Sequence, residues 1–338
     1  MKLQHFIPWI WLVATAASGA SSVPPEPASS RPVQAGHPHD EALQHLAPYK
    51  RRSGVSGSLS SAGSDTLNNL MTLWAEGFRR QYPSVNIQVE GKGSSTAPPA
   101  LIQGVAQLGP MSRLMKDDEV NAFQRRLGFM PTPVPVAMDA LAIFVHAENP
   151  VESLTLAEVD AIFSRTRRGG LLRTFSTWSD LGVATGPARY PLSLYGRNSA
   201  SGTYGLFKLT ALFRGDFKNS VKELPGSAAV VLAVSQDPAA IGYAGIGYRT
   251  SGVKMLSIAP EKGSLAKPAT SQNVLNGAYP LGRLLYIYVA KPPSQSLPVP
   301  VEEFLKFVLS REGQRIVRKS GYIPLPVEML EAQRSRLW

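Results

Sequence analysis

The feature that most constrains the fold is a repeated order of strand, polar turn and helix. Residues 55–63 read VSGSLSSAG and have the composition of a strand. Apolar residues then recur at steps of three and four: Leu67, Leu70, Met71, Trp74 and Phe78. That spacing places them on one face of a helix, which we expect to run to about Tyr82. Ser64, Asp65 or Thr66 is a suitable N-cap for this helix.

The same order continues along the chain. NIQVEG at 86–91 alternates like a strand, and PPALIQGVAQ at 98–107 predicts a short helix. Further predicted strands cover 133–138, 141–146 and 192–195, and further predicted helices lie near 155–163 and 204–213. Strands that alternate with helices indicate an α/β fold with mixed, mainly parallel sheets flanked by helices. A chain of 338 residues is long enough for two domains of ordinary size.

The first twenty residues have the order of a secretory signal peptide. Lys2 precedes an apolar run at 6–17, and the small residues Ser18, Gly19 and Ala20 follow it. We expect cleavage near Ala20 and an exported, periplasmic protein. A membrane anchor is the alternative, but the apolar run is shorter than the ~20 residues that span a bilayer. The absence of cysteine excludes a lipid anchor, disulfides, thiolate metal sites and cysteine nucleophiles.

Residues 21–54 are rich in Pro, Ser, Ala and His, which is typical of a flexible linker. His37, His39 and Asp40 are possible metal ligands, although a solvated linker is the preferred interpretation. The net charge is +11, and such a chain can attract anions. Its arginine pairs are spread along the sequence, which favours solvated surface over a dedicated polyanion site.

Three polar turns stand where a strand ends and a helix begins. They are residues 64–66 (Ser-Asp-Thr), 93–96 (Gly-Ser-Ser-Thr) and 201–203 (Ser-Gly-Thr). The first turn of a helix has free N–H groups and a positive dipole end, so each turn is a candidate anion site. Arg197 lies four residues before Ser201 and adds a permanent charge with a planar fork that suits two oxygens. Together they predict a site for an oxyanion.

An enzyme is the main alternative of another class, because Ser-Gly-Thr after an arginine could belong to a phosphatase or a serine hydrolase. A hydrolytic serine needs a positioned base. Of the five histidines, only His146 falls within the predicted folded part. A Ser-Lys pair and an aspartate-bound metal stay open as alternatives, and no motif indicates either one.

With these turns in place, the sequence resembles the periplasmic phosphate-binding proteins of ABC transporters, which have the two-lobed type II periplasmic-binding-protein fold. The likeness covers about residues 57–328. The stretches that carry it are SSAGSDTLNNLMTLWAEGF, VEGKGSSTAPPAL, QLGPMSRLM, VAMDALAIFV, GRNSASGTYGLF, AAIGYAGIGY, YPLGRLLYIYV and EGQRIVRKSGYIPLP.

The resemblance implies one lobe at 55–140 and 285–338 and a second at 141–284, with phosphate held between them by hydrogen bonds. It implies no enzyme activity and no cofactor or metal. Its binding residues carry over to these positions of this chain: Ser64, Asp65, Thr66, Ser94, Arg197, Ser201, Gly202 and Thr203. Ser95 is adjacent to Ser94 and is a further candidate. The implied partners are inorganic phosphate and an ABC transporter permease in the inner membrane. A monomer that does not bind nucleic acid is expected.

One position departs from the best-known members of the family, which have an aspartate that accepts the proton of hydrogen phosphate. This chain has Ser112 there, followed by Arg113, as in a second branch of the family. We therefore expect Asp65 or Asp139 to accept the proton and Arg113 to add a second cation. A helix cap at Asp65 and a hinge salt bridge at Asp139 are the structural alternatives.

The ligand and the role stay open in two respects. The same scaffold could hold sulfate, molybdate or arsenate, and the chain could act as a phosphate sensor rather than a transport component.

Overall fold

The computed structural model describes residues 43–184, 186 and 190–338. The predicted signal peptide, His37, His39 and Asp40 lie outside these residues. Within the described ranges, every helix is too short or too polar to cross a bilayer.

Strands and helices alternate along most of the chain. The strands, numbered in chain order, are β1 (Gly57–Gly63), β2 (Val85–Gly91), β3 (Gly109–Met111), β4 (Thr132–His146), β5 (Ser153–Thr155), β6 (Ser193–Arg197), β7 (Lys222–Leu224), β8 (Ala240–Gly245), β9 (Val253–Met255), β10 (Ser257–Ala259) and β11 (Gly282–Val289). The α-helices are α1 (Asn68–Gln81), α2 (Ala97–Ile102), α3 (Asp117–Leu127), α4 (Leu156–Phe163), α5 (Gly202–Thr210), α6 (Ser227–Gln236), α7 (Ser271–Leu275), α8 (Val299–Val308), α9 (Arg311–Lys319) and α10 (Val327–Leu337).

The sheets are mixed. The largest has the order β3-β11-β4-β8-β6-β7, with β9 also paired to β4. β1 pairs with β2, and β5 pairs with β10, both in parallel. Among the described strands, every antiparallel pairing involves β4 or β11, whereas β6 is parallel to both of its neighbours. The parallel pairings follow from the strand–helix alternation, and β4 and β11 interrupt that pattern.

β4 is one strand of 15 residues, so the prediction of two strands at 133–138 and 141–146 was wrong in dividing it. Its partner changes where a break was expected. Ala140 opposes Gly282 of β11, whereas Leu141 opposes Gly245 of β8. Asp139 stays in the ladder because its register partner is Arg283, so the polar residue does not end the strand.

The core lies along β4 and the helices that cover it. The apolar face predicted for the first helix is confirmed: Leu67, Leu70, Met71, Trp74 and Phe78 are all buried. The Nε1–H of Trp74 donates to the carbonyl of Gly313 at 2.9 Å, which joins α1 to α9. The helix predicted near 155–163 is α4, and its N-cap Thr155 forms a capping box with Glu158.

Residues 43–54 were expected to belong to the flexible linker, but the structure packs them on α1, α8 and α9. The side chain of Leu46 is only 1% exposed. The Arg311 guanidinium donates to the Leu46 carbonyl at 2.8 Å, and the hydroxyl of Tyr49 donates to Glu303 at 2.6 Å. Composition did not predict this packing, because a few buried apolar side chains are enough to fix an otherwise polar segment against the core.

Candidate anion-binding site

Three polar turns meet at one place in the structure, as their position before helices predicted. A 3₁₀ turn at 65–67 precedes α1, a second at 94–96 precedes α2, and Ser201 caps α5. The hydroxyls of Thr66 and Thr203 lie 2.9 Å apart, which joins the first turn to the third. The backbone N–H of Ser95 donates to the carbonyl of Ala200 at 3.2 Å, which joins the second to the third.

The start of α5 explains how Ser201 and Gly202 contribute. The Ser201 hydroxyl accepts from the backbone N–H of Thr203 at 3.1 Å, so α5 begins at Gly202 and not near 204 as predicted. A Cβ on Gly202 would lie 2.5 Å from the hydroxyl oxygens of both Ser94 and Ser112. Glycine is therefore the residue that lets this helix N-terminus approach the hydroxyls closely.

Buried hydroxyls form the floor of the site. The hydroxyl of Ser64 donates to that of Ser112 at 3.1 Å, and Ser94 accepts from the Ser112 backbone N–H at 3.1 Å. All three side chains are buried. A hydroxyl group is both a donor and an acceptor, and its hydrogen can rotate. The three hydroxyls can therefore donate hydrogen bonds to an anion.

Arg197 ends β6 and supplies a buried positive charge, with a side chain that is 1% exposed. Its Nη1 lies 2.6 Å from the Ser227 hydroxyl and 3.1 Å from Oδ2 of Asp65, and its Nη2 donates to the Pro225 carbonyl at 2.9 Å. Its Nε–H is buried and has no hydrogen-bond partner among the described residues. Burial lowers the pKa of Arg197 from its ordinary value, and the Asp65 carboxylate opposes that shift.

Asp65 reaches across to α6 and does not cap its own helix. Its Oδ2 accepts the backbone N–H of Ser227, the first residue of α6, at 2.8 Å. A carboxylate is favourable at that helix end. Within the described part of the chain, the Asp65 side chain contacts Ser227 and Arg197, and both contacts go to Oδ2. Oδ1 is therefore the oxygen available to a ligand.

Asp139 is fully buried and engaged on both oxygens. Oδ2 accepts from Nε and Nη2 of Arg283 at 2.9 and 2.6 Å, and Oδ1 accepts from the Ile246 N–H at 3.1 Å. Burial raises the pKa of Asp139, and the Arg283 guanidinium opposes that rise. This geometry matches the salt-bridge alternative foreseen for Asp139.

Arg283 itself was missed by the sequence reasoning. It is buried on β11, and its Nη2 also donates to the Thr203 hydroxyl at 2.9 Å, so it brings a second guanidinium next to the site. A lone cation in the apolar strand GRLLYIYV was the available signal. Ser227 was also missed, and nothing in its sequence context distinguishes it from an ordinary first residue of a helix.

Arg113 lies at the edge of the site and is held by an acid. It makes two hydrogen bonds of 2.6 Å with Glu119, and its Nη2 donates to the Ser95 hydroxyl at 3.1 Å. Its alkyl stem lies close to Gly202 of α5. The structure thus places all twelve predicted residues in one region, and it neutralises the charge of Arg113 with Glu119.

The arrangement is suited to an oxyanion. It combines hydroxyl donors, the N-terminal end of α5 and a buried guanidinium whose Nε–H is free of partners among the described residues. Among the described residues, no group of three or more His, Cys, Asp or Glu side chains could hold a metal ion.

Comparisons with known proteins identify the family. A model of the PBP superfamily domain matches residues 50–312. The phosphate-binding protein PstS of Pseudomonas aeruginosa is 51% identical over 331 residues, which is 98% of this chain and 98% of that protein. Protein SphX of Synechococcus elongatus is 29% identical over 295 residues, which is 86% of this chain and 84% of its own.

A solved structure from Clostridium perfringens, described as a phosphate ABC transporter substrate-binding protein with bound phosphate, is 27% identical. It has a TM-score of 0.67 and covers 80% of this chain and 100% of its own. The phosphate transport receptor of Vibrio cholerae has a TM-score of 0.60 at 23% identity, with coverage of 79% and 100%, and supports the fold alone. The fold is the two-lobed type II periplasmic-binding-protein fold, as predicted. The chain belongs to the PBP superfamily and, within it, to the family of PstS phosphate-binding proteins.

Proposed function

We propose that this chain binds inorganic phosphate at the Arg197 site and delivers it to an ABC transporter in the inner membrane. The observation that carries the proposal is the buried Arg197 guanidinium, which lies among hydroxyls and the N-terminus of α5. Its Nε–H has no hydrogen-bond partner in the described part of the chain. The names of its PstS relatives support phosphate as the anion. An exported, periplasmic, monomeric binding protein without affinity for nucleic acid is part of the same proposal.

The lobes that close on the ligand are residues 55–140 with 285–338, and residues 141–284. Support comes from β4, whose partner changes from β11 to β8 between Ala140 and Leu141. The binding residues belong to both lobes: Ser64, Asp65, Thr66, Ser94, Ser95, Ser112 and Arg113 come from the first, and Arg197, Ser201, Gly202 and Thr203 from the second. A ligand held by both favours the closed state, which a permease can recognise.

Asp65 is the residue that selects hydrogen phosphate over sulfate. Its Oδ1 can accept the ligand proton, whereas both oxygens of Asp139 are occupied by Arg283 and Ile246. Sulfate has no such proton, so it would place lone pairs against the partly buried Asp65 carboxylate. The expected discrimination is about 100-fold or more in affinity.

Catalysis is not part of the proposal. The described histidines are His45 and His146, and His146 lies seven residues beyond Asp139 on β4, about 23 Å along the strand. It accepts a hydrogen bond from its own loop, at the backbone N–H of Glu148. His146, the one described histidine on the main sheet, is therefore not placed as a base for a serine nucleophile at 201.

Calorimetric titration of the ligand-stripped protein with phosphate and then sulfate at pH 8 tests the proposal. We expect one-to-one phosphate binding without sulfate binding in the wild type. Asp65→Asn should bind both anions with similar affinity, and Glu261→Gln, at an exposed site, is a carboxylate control that should keep the preference. Tight sulfate binding by the wild type would overturn the selectivity mechanism. Binding of neither anion would overturn the function, and molybdate would be titrated next.

Transport and catalysis are checked separately. Cells that have a phosphate permease but lack their own binding protein should recover phosphate uptake when they express this chain. Hydrolysis of p-nitrophenyl phosphate should stay at the level of a blank, and turnover that is lost in Ser201→Ala would favour an enzyme instead.

A further inference from the structure

Seven cationic side chains converge on a surface formed by two neighbouring loops, which we call the cationic surface. One loop, 164–174, follows α4, and the other, 211–219, follows α5. The backbone N–H of Arg165 donates to the Asp216 carbonyl at 2.9 Å, and the Arg168 guanidinium donates to the Arg214 carbonyl at 3.1 Å. The cations of this surface are Arg165, Arg167, Arg168, Arg173, Lys208, Arg214 and Lys218.

Four carboxylates, Asp160, Asp180, Asp216 and Glu223, face these cations and leave an excess of positive charge. Asp216 pairs with Lys208 at 3.0 Å and with Arg165 at 3.6 Å. Asp180 lies 4.0 Å from Arg173, and Asp160 accepts the Gly169 N–H at 2.6 Å. Glu223 lines the groove that also holds Arg165, Lys208 and Asp216. Seven cations against four carboxylates give the surface a net charge of +3, and for Arg168 and Arg214 no carboxylate lies within 4 Å among the described residues.

The backbone of both loops is held in an unusual conformation. Among the described residues, four non-glycine residues have positive φ, and three of them are here: Arg167 at 49°, Phe213 at 49° and Arg214 at 61°. Each such residue is strained by roughly 1–2 kcal/mol and persists only when its surroundings fix it. Strain of this kind concentrates at places with a role in binding. Here it fixes the directions of two arginines and one phenylalanine.

Apolar side chains are exposed among the arginines. Leu172 is 95% exposed and follows Gly169-Gly170, and Phe213 and Leu209 are 37% and 49% exposed. Exposed apolar side chains flanked by cations are typical of surfaces that bind peripherally to a lipid bilayer. The apolar groups enter the region between headgroups and acyl chains, and the cations meet lipid phosphates.

We propose that the cationic surface docks on a bilayer that contains anionic phospholipid. Guanidinium groups suit the oxygens of phosphodiester headgroups, and Leu172 and Phe213 are the insertion points. An acidic protein face is the other possible partner, but the most exposed apolar side chain stands at a loop tip rather than in a groove, which fits lipid better. The surface lies at the C-terminal end of α5, about 13 Å from the anion site at its N-terminal end, so the proposal does not depend on phosphate binding.

Co-sedimentation with vesicles tests this proposal. The mature chain from Ser21 onward is mixed with phosphatidylcholine vesicles that contain either no phosphatidylglycerol or 40% of it. We expect binding only to the anionic vesicles and a steep loss of binding with salt. The variant Arg168→Gln/Arg173→Gln/Arg214→Gln should bind at least tenfold more weakly, since each arginine near an anionic surface contributes a few-fold in affinity. Leu172→Ser should weaken binding by about tenfold.

A control variant separates a local effect from net charge. Arg79→Gln/Arg80→Gln/Arg125→Gln removes three exposed arginines from α1 and α3 and should bind vesicles like the wild type. Phosphate titration of every variant shows whether it is folded. An equal loss of vesicle binding in both triple variants would overturn the proposal, because binding would then depend on net charge and not on this surface. No vesicle binding by a wild type that binds phosphate would overturn it as well, and would point to an acidic protein partner.

Discussion

Asp139 and Arg283 are register partners on adjacent antiparallel strands and form a buried ion pair, with Nη2 and Oδ2 2.6 Å apart. The pair lies where β4 changes partner, and Arg283 also donates a hydrogen bond to the Thr203 hydroxyl. It therefore connects the crossing strands to the N-terminal end of α5.

Asp139→Asn should destabilise the protein by about 3–5 kcal/mol, because it leaves the Arg283 charge buried without its counter-ion. Urea unfolding followed by tryptophan fluorescence measures the change. The double variant Asp139→Leu/Arg283→Met removes both charges and should recover much of the loss. A change below about 0.5 kcal/mol in Asp139→Asn would show that water or another group already compensates Arg283.

Gly202→Ala should weaken phosphate binding by at least tenfold while the fold is kept. The added methyl would lie 2.5 Å from the hydroxyl oxygens of Ser94 and Ser112, so these groups must move apart. Gly205→Ala is the matched control on the same helix, because the nearest atom to its Cβ is 3.9 Å away. That control should bind normally and be slightly more stable, since alanine is favoured over glycine in helices by about 1 kcal/mol. Equal affinities of the two variants would contradict the close approach at Gly202.

Leu46→Ala should destabilise the protein by about 2–5 kcal/mol, because Leu46 is buried in the segment that packs on α9. Leu265→Ala removes the same atoms from a side chain that is 73% exposed and should leave stability unchanged. Thermal unfolding compares them. If both variants melted with the wild type, residues 43–54 would not be part of the folded unit.

Asp180→Asn should reduce the loss of stability in acid. Hydrogen bonds from the N–H groups of Ser176 and Thr177 hold the pKa of Asp180 below its ordinary value. A carboxyl with a lowered pKa in the folded state contributes stability above its unfolded pKa and loses it as the pH falls through the folded one. The variant should therefore be less stable than the wild type at pH 6, and the gap should close toward pH 2–3. Glu261→Gln, at an exposed site, is the control for charge, and a gap that is the same at both pH values would contradict the assignment.

The α/β class and the helix that follows Ser64 could be predicted from the sequence, because both depend on local periodicity. The meeting of the three polar turns could be predicted because turns at the carboxyl ends of strands lie along one edge of a sheet. The partner of each charge was not predictable. Whether Asp139 meets a ligand or Arg283 depends on a register between strands that are far apart in the chain. The partner of Arg113 was not predictable either. Glu119 is only six residues away, but the sequence does not show in which direction its side chain points.

The packing of residues 43–54 depends on contacts more than 250 residues away, such as Tyr49 with Glu303. No local pattern encodes such a contact, so composition indicated a linker. The division of β4 failed for a related reason, because the strand is continued through Asp139 by its pairing with Arg283, which is 144 residues away in the chain.

The position of β11 also determines when the protein can complete its main sheet during synthesis. β11 lies between β3 and β4, yet more than a hundred residues separate the end of β4 from its start. At ribosomal rates of about 5–20 residues per second, β11 is synthesised on the order of ten seconds after β4. The nascent chain therefore cannot complete its main sheet until it is nearly finished. Such a delay is compatible with the export proposed above, because an incompletely folded chain can still be threaded through a translocation channel.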